Sequence, residues 1–204
     1  MSHLFKRYFN HVKVNQVIQF MTYSDVLMLA GWGLVNPILA IFITEQIDGG
    51  TVVLAGFAMT TYLLVKSILQ IPIARFIDLK RGERDDYWVM IVGSILISVT
   101  AFLFMFASAP WHVIAIQIFG GIGSALSYPS WQSIFTKHLD KKEEGLEWSL
   151  YFTATDLRAA MAASVGAMIA YIYGYQILFW VVGVMSVMGT LFLAGVFSGM
   201  RKRG

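Results

Sequence analysis

Six stretches of this chain are mostly apolar, and each is longer than the about 20 residues a helix needs to cross the hydrocarbon of a bilayer. They run 17–44, 51–77, 87–109, 111–135, 146–173 and 176–198. Backbone N–H and C=O groups in hydrocarbon find no water, so a crossing segment must be a helix or part of a closed barrel. A barrel strand is about 9–11 residues of alternating pattern; these stretches are far longer. The reading is all-α and integral to a membrane, with six transmembrane helices, here spans 1–6. Composition agrees where a soluble fold would need a surface. Only 13% of the 204 residues are charged and 57% are hydrophobic, against about 25% charged in soluble domains. The chain has no cysteine, which excludes disulfides and thiolate metal sites. Its first apolar stretch is long, so no removable signal peptide is expected.

Lys and Arg set the orientation. Lys6, Arg7 and Lys13 precede span 1. Arg75, Lys80, Arg81 and Arg84 surround the link from span 2 to span 3. Lys137, Lys141 and Lys142 lie between spans 4 and 5, and Arg201, Lys202 and Arg203 end the chain. The loops 45–50, 109–111 and 174–175 contain neither residue type. Both termini are expected in the cytoplasm, with tails 1–16 and 199–204 around a single domain, in the cell (inner or plasma) membrane. The basic pI of 9.1 is read as this topology signal and not as nucleic-acid binding. Short outer loops pair spans 1–2, 3–4 and 5–6 as hairpins.

A weak internal echo runs through the chain. Span 1 holds Gly31-Trp32-Gly33 and then Pro37; span 4 holds Gly121-Ile122-Gly123 and then Pro129. Spans 2 and 5 carry charge, and spans 3 and 6 carry none. Spans 1–3 thus look like a counterpart of spans 4–6, and three crossings per unit make the repeat inverted. Helix-interrupting Gly and Pro at matching places point to a binding site; they are also common in membrane helices generally.

The link after span 2 reads Ala74-Arg75-Phe76-Ile77-Asp78-Leu79-Lys80-Arg81-Gly82. It resembles the loop of the major facilitator superfamily of secondary transporters, roughly G-x-x-x-D-R-x-G-R-R. Span 4, with Gln117-Ile118-Phe119-Gly120-Gly121-Ile122-Gly123 and Tyr128-Pro129-Ser130-Trp131, is similar as well. The resemblance covers the whole chain but one six-helix half of the usual twelve. It implies half of that fold, two inverted three-helix repeats. Ala74 replaces the leading Gly, and the later Gly comes one place late. Gln117 stands where proton-coupled antiporters of the family have Arg, and span 5 has no Gly-Pro-Gly-Gly-like motif. Both departures weaken a drug/proton antiport reading.

Asp25, Lys66, Asp156 and Arg158 are ionisable residues inside spans, each costing about 2.5–3.5 kcal/mol at a membrane centre on insertion scales. Such residues face an interior and pair with something. Asp25, Trp32 and Asn36 share a face of span 1; Tyr62, Lys66 and Gln70 share one of span 2; Gln117, Gly121, Ser124, Tyr128 and Gln132 share one of span 4. These stripes either line a polar cavity or are interhelical hydrogen-bond contacts. The resemblance implies the cavity, since spans 1 and 4 line it in the family, and gives Trp32, Asn36, Gln117, Ser124, Tyr128 and Gln132 a substrate role. Lys66 is left two partners: Asp25 of its own chain, or Asp156 of a second copy. Asp25 is either a proton-coupling carboxylate or a fixed structural charge. The resemblance makes Arg75, Asp78 and Arg81 a gating loop, with a solvated loop as the alternative. His112 and His138 lack the company of a metal site.

No phosphate loop, nucleophile elbow or metal motif is present, so no enzyme and no cofactor are expected. The expectation is secondary transport of a small solute by a homodimer of half-size subunits, in contact with lipid, with protons as a possible coupling ion. The alternatives are a non-transporting interaction or regulatory subunit, and the N-terminal half of a transporter that needs a different partner.

Overall fold

The computed structural model describes residues 15–80, 82–141 and 143–201. Arg81, Lys142 and, in the tails, Lys6, Arg7, Lys13, Lys202 and Arg203 lie outside the described residues. The described chain is helical and without strands: α1 Gln16–Val35, α2 Leu39–Gln46, α3 Val52–Lys80, α4 Glu83–Phe104, α5 Pro110–His138 and α6 Glu144–Arg201. Among the described residues four helices are long and apolar enough to cross a membrane, five if α1 and α2 count as one bent crossing.

The bend between α1 and α2 is 46°. Pro37 sits in it; proline has no N–H to give, and its ring clashes with the carbonyl four residues back. Span 1 is therefore a broken helix and not one straight rod. Pro129, its counterpart in the echo, leaves α5 continuous. α6 has 58 residues, about 87 Å if straight, nearly three times the about 30 Å of hydrocarbon. It does not stay straight. Gly174 has φ 85 and ψ 165, a conformation essentially reserved for glycine. Arm 144–173 runs along α1 in the same direction, with Tyr151 bonded to Asp25 and Gly166 against Leu34. Arm 175–201 runs along it in reverse: Gly31 lies against Val182, Gly189 against Met28 and Gly199 against Val17. The chain thus turns back on itself at Gly174.

Close helix approach, not transfer of apolar surface, holds helices together in lipid. A Cβ on Gly93 would come within 2.5 Å of the Ser127 backbone N, and one on Gly123 within 2.9 Å of Leu96 Cβ, so α4 and α5 touch backbone to backbone. Ser94–Ser127 (3.2 Å) and Ser98–Thr190 (3.2 Å) add hydroxyl contacts from α4 to α5 and α6. Two apolar clusters fill the interior. One, around Phe42, Phe104 and Phe179, lies toward the turn at Gly174. The other, around Met21, Met90, Trp131 and Phe135, lies toward the opposite end.

That opposite end collects Arg75, Lys137 and Lys141 and is called the basic end below. There Asn15 donates to the His138 carbonyl (3.2 Å), and the Glu147 carboxylate accepts from the Asp140 N–H (2.8 Å). At the other end the Asp48 N–H donates to the Ser108 carbonyl (3.0 Å), and Tyr175 Oη donates to Glu45 (2.9 Å). Burial pushes the Tyr175 phenol up to about 12, and the bond to Glu45 and its negative charge add to the rise.

Candidate functional site

Lys66 is the central residue of the 29-residue α3, about 21 Å of helix from either end. Its Nζ lies 4.9 Å from the ring centroid of Tyr128 on α5, a cation–π distance. One turn away, Tyr62 Oη donates to Ser124 Oγ (2.9 Å). The stripes of spans 2 and 4 therefore face each other. Gly121 permits this: a Cβ there would sit 3.0 Å from the Tyr62 carbonyl and 3.1 Å from Val65. Tyr128 is 47% exposed and Gln132 is exposed too, whereas Gln117, on the same stripe, is buried. The α5 stripe thus runs from a packed end to an open one.

The charges of spans 1 and 5 meet separately. Tyr151 Oη donates to Asp25 Oδ2 (2.8 Å). The Tyr151 ring lies against Trp131, Phe135 and Trp148 at centroid distances of 5.2, 5.4 and 5.9 Å. Asp25 accordingly rests on an aromatic layer contributed by α5 and α6. Arg158 Nε donates to the Thr155 carbonyl (3.1 Å), and its Nη1 approaches Gly33 of α1. The Trp32 indole N–H is buried and has no acceptor among the described residues. Asn36 is exposed at the α1–α2 break, where its N–H donates to the Trp32 carbonyl (2.9 Å).

Among the described residues no carboxylate lies within 4.0 Å of Lys66 or Arg158. The intrachain pairing of Lys66 with Asp25 is thus not formed; Asp25 has Tyr151, and Lys66 has a ring. Asp156 is exposed. Arg75 and Asp78 stand exposed on the last turns of α3, without an ion pair among the described residues.

One cluster escapes a sequence reading. Asp86, fully buried in the first turn of α4, accepts from Lys137 Nζ (2.8 Å) and Ser133 Oγ (3.0 Å) on α5. Its other oxygen, Oδ1, is buried without a partner among the described residues. The signal was present: α4 and α5 form a hairpin about the short loop at 109–111, which brings the start of one near the end of the other. His112 and His138 serve locally. His112 Nδ1 accepts from the Ala109 N–H (3.1 Å), and His138 Nδ1 bonds the Ile134 carbonyl (3.0 Å).

Charged and polar groups inside apolar helices, Arg75 and Asp78 on the last turns of α3, and glycine contacts on α5 match features behind the resemblance. The Major Facilitator Superfamily family model matches residues 24–203. The chain belongs to the Major Facilitator Superfamily. An uncharacterized MFS-type transporter of Methanocaldococcus jannaschii is 24% identical over 175 residues, 86% of this chain. The chain spans 43% of the length of that relative. Superfamily membership and the apolar helices make this an integral membrane protein of a transporter family.

Proposed function

We propose that this chain is a half-size unit of a secondary active transporter, working as a homodimer that carries a small solute by alternating access, with protons as coupling ion. The carrying observation is an uncovered polar surface within the membrane-crossing helices. α3 is mostly uncovered, and its outward face is apolar; its central residue, Lys66, is half-buried on the side toward Tyr128. Tyr128, Gln132 and Asn36 are exposed. A helix facing lipid alone gains nothing from a central lysine; a second half laid over this face turns it into a cavity wall.

In this reading α6 supplies two crossings and α1–α2 one, giving six, with the basic end and both termini in the cytoplasm of the cell membrane. The helix contacts favour an inverted repeat. Exchanging spans 1, 2 and 3 with 4, 5 and 6 turns the Gly33–Ala162 contact of spans 1 and 5 into the Gly121–Val65 contact of spans 4 and 2. It likewise turns the span 3–4 packing at Gly93 into the span 6–1 packing at Gly189. Substrate contacts fall to Trp32, Asn36, Ser124, Tyr128 and Gln132, with Gln117 behind them. Asp25 takes and releases the coupling proton, with Tyr151 as its hydrogen-bond partner. Arg75 and Asp78 gate the cytoplasmic side. No catalytic step is part of this activity.

The shared length of 43% with the relative favours a second reading, in which a different protein covers the open face. Native mass in detergent and in lipid nanodiscs separates the two. A dimer in both, together with aqueous labelling of single cysteines at Asn36 and Tyr128, supports the homodimeric transporter. A monomer in both, with those positions protected only when another protein co-purifies, sinks it.

A further inference from the structure

Resting on the transporter reading above, we infer that Lys66 anchors an anion site: the solute is a small organic anion whose oxyanion group binds between α3 and α5. Lys66 is at the midpoint of its helix, the depth at which secondary transporters bind substrate. Its ammonium has three N–H donors. The structure offers it one aromatic face, at 4.9 Å from Nζ to the Tyr128 centroid. Neither a carboxylate within 4.0 Å nor a hydrogen-bond acceptor is found for it among the described residues. A charge at this depth without a counter-charge is costly, and a ligand oxyanion supplies what is missing.

The surroundings agree in sign. Tyr62 Oη spends its proton on Ser124 Oγ (2.9 Å), which leaves the Ser124 O–H to donate elsewhere. Tyr128, 47% exposed, carries its hydroxyl on the ring that faces the ammonium. The one carboxylate at comparable depth on α1, Asp25, is engaged by Tyr151 on the α6 side. A cationic solute between α3 and α5 would meet an ammonium and donors. An anion meets a charge-assisted donor, the strong class of hydrogen bond.

One protein group competes for the same place. Asp156 of a second copy lies about 18 Å along α6 from its start and Lys66 about 21 Å from the end of α3, so the two share a depth. That pairing would neutralise Lys66 without a ligand.

Three probes with one ring and different charge decide it: benzenesulfonate, benzamide and benzyltrimethylammonium, titrated by calorimetry into the full chain in lipid nanodiscs. Benzenesulfonate is expected to bind with a Kd of about 1 mM or tighter, an ordinary weak-ligand affinity, and the other two at least about tenfold more weakly. Lys66→Gln loses the anion by about tenfold or more and Lys66→Arg keeps it; Asp156→Asn changes nothing. The charge preference of the unaltered protein decides the matter even where Lys66→Gln does not fold. A preference for the cation, no preference, no binding of any probe up to about 10 mM, or sulfonate binding that survives Lys66→Gln overturns the anion site. Sulfonate binding that appears only in Asp156→Asn overturns it too, in favour of the partner carboxylate. Counterflow of labelled probe in proteoliposomes separates this from the transport reading. Sulfonate binding without counterflow removes transport and keeps the site; counterflow of the cation keeps transport and removes the site.

Discussion

Tyr151 gives Asp25 its only direct protein hydrogen bond recorded among the described residues, and the two side chains can be separated by mutation. Asn at position 25 still accepts the phenol through its side-chain carbonyl, so Asp25→Asn is expected to fold with nearly unchanged thermal stability while proton-dependent uptake is lost. Tyr151→Phe keeps the ring in its aromatic layer and removes the donor. A polar group left unsatisfied in the interior costs about 1–3 kcal/mol, which should appear as a lowered melting temperature in detergent. Full proton-dependent uptake by Asp25→Asn would remove the coupling role. Asp86 and Lys137 make a second pair of this kind. Lys137→Met strands a fully buried carboxylate on Ser133 alone; the expected loss is about 2 kcal/mol, below the usual 3–5 for a buried pair because the lysine is itself 42% exposed. Replacing both, as Asp86→Leu with Lys137→Met, should restore most of the loss, and a double mutant no more stable than Lys137→Met would show that the pair is not coupled. At this scale the sequence made the costly residues legible and their partners much less so. Asp25, Lys66 and Arg158 stand out because charge is rare in apolar stretches. Which neighbour each meets depends on helix rotation and register across more than a hundred residues, as in Asp25–Tyr151. Asp86 hid because it sits one residue before an apolar stretch, where a charge looks solvated.

Helices here owe their existence to the bilayer and their placement to glycine. Gly93 and Gly123 bring α4 and α5 into backbone contact, and Gly174 turns α6 through a reversal that other residues resist. Gly174→Ala is expected to cost about 1–3 kcal/mol from backbone strain alone, since nothing among the described residues lies within 4 Å of the added carbon. Gly93→Ala should cost a similar about 1–3 kcal/mol for a different reason, overpacking against Ser127. Gly56→Ala is the control, in open space, and should be neutral or slightly stabilising in a helix. Melting temperatures in one detergent rank the three; equal values for Gly56→Ala and Gly93→Ala would refute the packing account. The all-helical, membrane-crossing character was legible from length and apolarity; the count of six was not reproduced, since four helices among the described residues qualify as crossings, or five with the bent α1–α2 pair. The turn at 174–175 was legible from a missing charge pattern and a glycine. The break of span 1 was only half legible: Pro37 and Pro129 look alike in sequence, and only the first one breaks its helix.

For the whole molecule, the mostly uncovered α3 and the one-sided distribution of Lys and Arg act together. Among the described residues Arg75, Lys137 and Lys141 lie at one end, so two copies inserted by the same rule would share one orientation. A closed pair of them has its two-fold axis along the membrane normal. That axis could not be read from any stretch of sequence, because it belongs to a surface that the single chain leaves open. The same axis duplicates the midpoint of α3. Where the proposed homodimer sets the two midpoints across one cavity, two Lys66 ammonium groups meet there, and like charges in a low-dielectric space repel. Assembly and ligand then become linked quantities: an anion that screens both ammonium groups should tighten the dimer, and Lys66→Gln should make dimerisation tighter without it. Dimer dissociation measured in detergent against benzenesulfonate concentration reads this directly, with the solute acting as a component of the quaternary structure as well as its cargo.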